Sequence, residues 1–177
     1  MISLSQNFFE LFELAESFEL DSDELTTRYR ELQNSTHPDR FSGGTEQEKM
    51  QAVQINSYVN EAYSTLSSPL QRAGYLLRLH DIDTEIVDQS DMDMNLLLEQ
   101  MQLREKLAEL PKDESALPEL ESMKSDTQAK LNKQQDQFAA DYSAGDIQQA
   151  KRIFHEMQFL NKLLLEIDQG EEQRLGY

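Results

Sequence analysis

The sequence predicts an all-α protein built from two helical units. Among its 177 residues there are only 6 Gly and 4 Pro, whereas Leu, Glu and Gln, which favour helices, are abundant. Apolar residues recur at spacings of three and four, the period of an amphipathic helix. A polar stretch with little periodicity at 81–92 separates the predicted helices, so we expect one domain at 1–80, a linker at 81–92 and a second domain at 93–177.

Charge and cysteine content exclude several classes of function. The 34 Asp and Glu against 16 Lys and Arg give a net charge of −18, which disfavours binding to nucleic acid or to a membrane surface. The absence of Cys excludes disulfides and thiolate-bound metal clusters in this chain. The first 24 residues carry seven acidic and no basic residues, unlike a signal or transit peptide, so we expect a cytoplasmic protein.

The first unit is predicted to begin with a short helix that Asn7 caps. Its apolar positions are Phe8, Phe9, Leu11 and Phe12. Asp21 followed by Glu24 is a capping-box pattern, and it predicts a second helix. The apolar face of this helix carries Leu25, Tyr29 and Leu32. Pro38 ends the helix, because the residue before a proline is disfavoured in the helical conformation.

A loop at 42–44 precedes a third, longer helix. Thr45 and Glu48 form another capping-box pattern at its start. Its apolar positions are Met50, Val53, Val59, Ala62, Tyr63 and Leu66. Pro69 starts the next helix, since proline suits the first helical position, and this helix is predicted to run to about His80.

The second unit is predicted to contain three helices. The first spans about 93–110 and ends before Pro111. The second starts near Asp113, and Pro118 is compatible with it only in the first turn. The apolar seam of the second helix has the spacing of a helical bundle and comprises Leu120, Met123, Thr127, Leu131, Gln134, Phe138 and Tyr142.

Gly145 is predicted to end this second helix and Asp146 to cap the last one. The last helix is predicted to end at Gly170, and its apolar positions are Ala150, Ile153, Met157, Leu160, Leu164 and Ile167. Short connections would let the three helices pack antiparallel and bury these seams together. The fold expected for the second unit is therefore a three-helix bundle.

The tripeptide His37-Pro38-Asp39 lies between two predicted helices. Pro38 stiffens the turn, and an exposed aspartate on a rigid turn can accept a bidentate bond from an arginine of a partner. The alternative is a turn that only breaks a helix. A hydrolase or metalloenzyme that uses His37 and Asp39 is a third hypothesis, but His80 and His155 lack metal-ligand spacing and no acidic pair stands out for acid–base catalysis.

The sequence around this tripeptide resembles a J domain over residues 7–80. The resemblance rests on the helix–HPD loop–helix order, on the run Asn60-Glu61-Ala62-Tyr63, and on the later Pro69, Arg72, Ala73 and Tyr75. J domains are helical hairpins with an HPD loop, and they stimulate the ATPase of a DnaK-class chaperone through that loop and basic residues beside it. The resemblance therefore implies a chaperone-binding set of Arg28, Arg30, His37, Pro38, Asp39 and Arg40, with Arg30 the one expected on a different helix face.

The helix predicted over 93–110 carries two apolar stripes on opposite sides. One comprises Leu96, Leu103, Leu107 and Leu110 and is the expected core stripe. The other comprises Leu97, Leu98, Met101 and Ala108, and polar residues rim it, namely Gln102, Arg104, Glu105 and Glu109. The second stripe fits an exposed partner site, but it equally fits a helix that contacts two neighbours in a bundle.

Two segments of the second unit resemble HscB-type co-chaperones. Residues 95–107 are similar to the first C-terminal helix of that family, where the pattern L-x-E-Q-x-x-L-R-E-x-L recurs, and 159–163 is similar to its last helix. The resemblance implies a bundle that binds the iron–sulfur scaffold protein IscU. The scaffold-binding residues that it implies are Leu97, Leu98, Met101, Arg104, Glu105, Glu109 and Phe159. Gln102 stands where the family often has a carboxylate, so its contribution to this interface is open.

The resemblance further implies the role of the whole chain. HscB-type proteins deliver the scaffold to an HscA-type chaperone and stimulate its ATPase in iron–sulfur cluster assembly. Such a protein is not an enzyme and holds no cofactor or metal of its own. The alternative is a J-domain co-chaperone that serves a general DnaK chaperone with a different client.

Overall fold

A computed structural model describes residues 2–87 and 93–176 of the chain. It divides into two compact units, Met1–Leu79 and His80–Tyr177. The regular elements in the described ranges are all helical, as predicted. The end of the predicted linker, 88–92, lies outside the described residues. Within those ranges, no helix is both long and apolar enough to cross a membrane.

The N-terminal unit contains four α-helices: α1 (Phe8–Leu11), α2 (Ser22–Thr36), α3 (Glu46–Ser67) and α4 (Pro69–Leu79). Asn7 and Thr45 close reciprocal capping boxes on α1 and α3. Asp21 caps α2 through the backbone N–H groups of Asp23 and Glu24, but the Glu24 carboxylate turns to Arg28 instead of closing a box. The predicted helix starts are therefore confirmed, with this one difference in local bonding.

The core of the N-terminal unit is formed around α3, which packs against α1, α2 and α4. Its buried apolar residues include Phe8, Phe9, Leu11, Phe12, Phe18, Leu25, Val59, Ala62, Leu66, Leu76 and Leu77. Met50 and Val53 share the helical spacing of the core positions on α3, yet both side chains are exposed. Ala52, which lies between them, is buried, so the buried face of α3 passes through Ala52 and not through Met50 and Val53.

A buried arginine ties the N-terminal unit together. Arg72 of α4 donates hydrogen bonds of 2.7 Å to the carbonyl oxygens of both Phe18 and Leu66. Its guanidinium also lies 4.9 Å from the centroid of the Phe18 ring, and burial lowers its pKa below the ordinary value. Buried carbonyl oxygens need hydrogen-bond donors, and Arg72 supplies them to the carbonyls of Phe18 and Leu66.

The C-terminal unit contains α5 (Met94–Glu109), α6 (Leu117–Ser143) and α7 (Ile147–Leu175). Asp93, Asp113 and Asp146 cap α5, a short 3₁₀ helix before α6, and α7. Pro118 falls in the first turn of α6, as its missing N–H requires. Gly145, with φ of +80°, separates α6 from α7.

Most seam positions predicted for α6 and α7 are confirmed as core, whereas Gln134 and Tyr142 of α6 are only half-buried. The predicted end of α7 is wrong. Leu120 and Met123 of α6 pack with Leu163 and Ile167 of α7 in one buried cluster. The last helix does not end at Gly170 but continues to Leu175. Gly170 lies inside the helix, and the side chain of Arg174 folds back over it. Arg174 Nη1 donates to the Gly170 carbonyl at 2.7 Å. A Cβ at position 170 would lie only 3.1 Å from that nitrogen, so the absence of a side chain gives Arg174 room.

Candidate functional site

The turn at His37–Asp39, which we call the HPD turn, is fixed by local bonding. His37 adopts an extended conformation, with φ of −59° and ψ of 132°, and so ends α2, as a residue before proline should. The Asp39 N–H donates to His37 Nδ1 at 3.2 Å, and the Arg40 N–H donates to the His37 carbonyl at 3.0 Å. These bonds form a tight 3₁₀ turn at Pro38–Phe41.

The turn presents the Asp39 carboxylate to solvent. The side chain of Asp39 is 93% exposed, and that of His37 is 49% exposed. Asp39 Oδ2 lies 3.6 Å from His37 Nδ1. A carboxylate held outward on a stiff turn loses little conformational entropy when a partner binds it. The geometry therefore fits an acceptor for an arginine of another protein.

Tyrosine contacts hold the two helices that flank the turn. Tyr29 of α2 donates a 2.7 Å hydrogen bond to Asn60 of α3, and its ring stacks on Tyr63 with the centroids 4.0 Å apart. Thr26 and Tyr63 share a hydrogen bond of 3.2 Å. Asn60 and Tyr63 belong to the run Asn60-Glu61-Ala62-Tyr63, so that run is used to fix the hairpin that carries the turn.

The three arginines near the turn differ in their ion pairing. Arg28 is paired with two carboxylates: its Nη1 lies 2.8 Å from Glu13 and its Nη2 lies 3.1 Å from Glu24. These bonds raise the pKa of Arg28 above its ordinary value, and the hydrogen bond to Glu24 has the largest effect. Arg30 and Arg40 are exposed, and neither forms an ion pair within the described part of the chain. Sequence analysis missed the Glu13 contact, since Glu13 lies 15 positions away and has a positive φ of 53°.

The two stripes of α5 separate as the helical wheel predicts. Leu103, Leu107 and Leu110 pack against the cluster that includes Leu120 and Ile167. On the other side, Leu98 is 49% and Met101 is 60% exposed, and Leu97 is half-buried. We call Leu97, Leu98 and Met101 the α5 patch. Because α6 and α7 leave Leu98 and Met101 uncovered, this stripe is not a second bundle seam, and its use as a partner site stays a prediction.

Charged and polar groups surround the α5 patch. Gln102, Glu105 and Glu109 are all exposed on α5. Arg104 lies with its guanidinium 5.5 Å from the centroid of the Phe159 ring and 3.7 Å from Glu166 Oε1. An apolar centre with a polar rim is the usual composition of a protein–protein interface.

Phe159 combines two environments. Its ring is half-buried and packs against the core cluster of the C-terminal unit, while Arg104 covers its outer face. The sequence places Phe159 off the core seam, but the structure gives it a part in the packing of α5 on α7. A substitution here therefore changes stability as well as surface chemistry.

An ion pair attaches the half of α5 that carries the patch: Lys130 of α6 pairs with Glu99 of α5. Nearby, Gln134 of α6 donates to Glu156, and this bond joins α6 to α7. Burial raises the pKa of Glu156 above its ordinary 4.5, and the charges of Asp93 and Glu99 add to this. The helix that carries the patch is thus held by the Lys130–Glu99 ion pair near its N-terminal end and by leucine packing further along.

The described residues contain no group of three or more His, Cys, Asp or Glu side chains placed to hold a metal ion. His155, which is nearly buried, bonds to Gln158 through Nδ1 at 3.0 Å. His80 Nε2 lies 3.0 Å from the Tyr142 hydroxyl.

Comparison with known proteins finds relatives that match almost the full length of the chain. Residues 92–168 match the family described as "HSCB C-terminal oligomerisation domain". The chain is 36% identical over 169 residues to the co-chaperone protein HscB homolog of Shewanella loihica, covering 94% of this chain and 98% of that protein. It is also 36% identical to the homolog of Aeromonas salmonicida, covering 94% and 96%.

Solved structures share the fold. Chaperone HscB from Vibrio cholerae superposes with a TM-score of 0.85 at 33% identity, covering 95% of this chain and 99% of that one. The crystal structure of human co-chaperone protein HscB superposes with a TM-score of 0.86 at 32% identity, covering 95% and 83%. Both comparisons extend over the HPD turn unit and the bundle together.

Proposed function

Because the chain belongs to the HscB family of co-chaperones, we propose that it binds an IscU-type iron–sulfur scaffold protein and delivers it to an HscA-type chaperone of the DnaK class. It stimulates ATP hydrolysis by that chaperone in the cytoplasm and catalyses no reaction itself. The iron–sulfur cluster is carried by the scaffold and not by this chain. Each of the two units then has one partner.

The α5 patch is the observation that carries the scaffold half of this proposal. Leu98 and Met101 remain exposed on a helix whose other side packs against the core. Their burial under a partner is favourable by about 25 cal/mol per Å² of apolar surface. The rim residues Arg104, Glu105 and Glu109 restrict which surface fits, since unmatched charges at an interface are costly.

The HPD turn supports the chaperone half. Asp39 is displayed by a turn that contains a proline and is closed by backbone hydrogen bonds. Arg30 and Arg40 are exposed cations on either side of it. Together they present opposite charges to a partner. Arg28 contributes to this surface only if it exchanges Glu13 or Glu24 for a carboxylate of the chaperone.

The ATPase of an HscA-type chaperone, measured with IscU present, tests the chaperone half. We expect the wild-type protein to stimulate it and Asp39→Asn to lose at least about tenfold of that stimulation, since the lost bond is charge-assisted. His37→Gln should act in the same direction. Glu46→Gln is the control, because Glu46 is an exposed acid outside the turn. No stimulation by the wild-type chain, or full stimulation by both turn variants, would contradict the proposal.

Calorimetric titration with IscU tests the scaffold half. We expect Leu98→Ala/Met101→Ala to weaken binding by about 1–4 kcal/mol. Met50→Ala/Val53→Ala is a matched control, because those residues on α3 are exposed to a similar degree, at 65% and 54%. If both double variants bind alike, the patch is not the interface. If wild type binds no IscU but stimulates a general DnaK chaperone, the client is a different protein.

A further inference from the structure

A second surface of the C-terminal unit lies beside the α5 patch and has a different character. It is a groove of about 350 Å³ between α5 and the C-terminal half of α7. Leu107 and Ala108 line it from α5. From α7 come Glu166, Gln169, Gly170, Gln173 and Arg174, which share one helix face. We call it the α5–α7 groove.

Three cations converge on this groove in a chain of net charge −18. They are Arg104, Lys112 and Arg174, which come from α5, from the connection after it and from the end of α7. Arg174 is held in place by bonds to two backbone carbonyls, from Nε to Pro111 at 2.8 Å and from Nη1 to Gly170 at 2.7 Å. The glycine at position 170 leaves the space that this arrangement needs.

The charge of these cations is only partly compensated. Arg174 bonds to neutral carbonyls, and within the described ranges neither it nor the exposed Lys112 is in an ion pair with a carboxylate. Two carboxylates lie near. Glu166 is 3.7 Å from Arg104, and the pKa of Asp113 is lowered, mainly by its bonds with Ser115 and to a smaller extent by the charge of Arg174.

The other acidic residues at this end of α7 are directed elsewhere. Asp168 and Glu171 both pair with Lys124 of α6, and Glu172 is not among the residues that line the groove. The groove face itself carries Gln169 and Gln173 beside the cations. The sequence therefore concentrates positive charge and amide groups at one place and keeps most negative charge away from it.

We propose that the α5–α7 groove binds an acidic segment of the scaffold protein, one that carries two or more carboxylates, while the α5 patch binds its apolar surface. This inference rests on the proposed function. Charge complementarity favours an acidic segment, since several carboxylates on one segment can bind the cations of the groove at the same time. Continuity supports it, because Arg104 borders the patch and lines the groove. The scaffold would then be bound by two subsites of opposite character.

The test compares two double variants that change the net charge equally. Lys112→Glu/Gln173→Glu reverses the charge of the groove, and both residues are exposed and make no bond that supports the fold. Lys133→Glu/Gln148→Glu is the control, at exposed positions outside the groove. Each variant is titrated with IscU by calorimetry at about 50 mM and about 500 mM salt. The salt series separates electrostatic from apolar contributions, since high salt screens exposed charges.

We expect the groove variant to bind IscU at least about fivefold more weakly than the control variant at low salt, and the difference to fall below about twofold at high salt. Equal affinities of the two variants at low salt would overturn the inference and leave the proposed function intact. A wild-type protein that binds no IscU at either salt concentration would overturn both. Thermal unfolding of each variant shows that the fold is unchanged.

Discussion

The HPD turn and the α5 patch expose their key residues by different physical means. The turn is produced by the backbone: Pro38 prevents α2 from continuing, and two short-range hydrogen bonds close the turn. The α5 patch is produced by packing: Leu103 and Leu107 pack against the core, and the residues on the other side of the same helix remain uncovered.

This difference predicts how each site responds to change. A site fixed by short-range bonding keeps its geometry as long as its supporting hairpin is folded. A site that is the outer face of a packed helix depends on every residue of the inner face, since loss of packing lets the helix shift. In the N-terminal unit, substitutions in the turn should therefore change function without changing stability. In the C-terminal unit, substitutions on the inner face of α5 should change both.

The largest effect is expected from Arg72→Met. It removes both hydrogen bonds to Phe18 and Leu66 and leaves two carbonyls unpaired, which should cost about 2–4 kcal/mol of unfolding free energy. Urea denaturation measures this cost, and hydrogen exchange should locate it in the N-terminal unit, with amides of α6 and α7 unchanged. Arg78→Met, at an exposed position on the same helix, is the control. Equal exchange rates in the two variants would show that the hairpin does not depend on Arg72.

The second prediction separates the two sides of α5. Leu103→Ala should lower the unfolding free energy by about 1–2 kcal/mol, less than for a fully buried leucine because Leu103 is half-buried. Met101→Ala should change it by less than about 0.5 kcal/mol, since that side chain is exposed. Thermal unfolding measures both. A greater loss of stability in Met101→Ala than in Leu103→Ala would mean that the patch is part of the core.

A smaller effect is expected from Glu13→Gln, which tests whether the ion pair with Glu13 competes with the chaperone for Arg28. The substitution removes one of its two ion-pair partners, so that its charge is more available to an acidic surface. We expect the stimulation of the chaperone ATPase at sub-saturating concentration to rise by about twofold, with little change in stability, because exposed ion pairs contribute under about 1 kcal/mol. Arg28→Gln should lower the stimulation. If neither variant changes it, Arg28 takes no part in the contact.

The smallest effect is expected from Glu156→Gln. Burial raises the pKa of Glu156 in the folded protein above its unfolded value, so the wild-type protein loses stability as the pH rises through the interval from about 4.5 upward. Glutamine resembles the neutral acid and can still accept the bond from Gln134. The variant should therefore be more stable at pH 7, by about 0.5 kcal/mol after solvent screening, and equal to wild type at about pH 4. Glu121→Gln, an exposed acid on α6, is the control.

Much of the secondary structure could be predicted from local signals. The caps at Asn7, Thr45 and Asp146 and the breaks at Pro38 and Gly145 act within a few residues, so a pattern in the sequence is enough to place them. The wrong end of α7 shows the limit of that reasoning. A glycine usually ends a helix, but at Gly170 its small size gives space to Arg174, which reaches Pro111 across 63 positions.

The residues of the two candidate sites could also be named from the sequence, through the tripeptide and through the two resembling segments. The environments of these residues could not be predicted from the sequence. That Arg28 is paired with Glu13, and that Phe159 contacts the core as well as Arg104, depends on contacts between residues distant in the chain. So does the exposure of Leu98 and Met101, which the helical wheel left undecided.

The sequence by itself determined which helices form, where the HPD turn lies and which side of α5 carries each stripe. These follow from backbone preferences and from the helical period, which operate over one or two turns. Only the tertiary structure decided which stripe is covered, which arginines are already paired, and that Arg104, Lys112 and Arg174 meet at one groove. Burial and electrostatic pairing are set by residues that lie far apart in sequence, and packing brings them together.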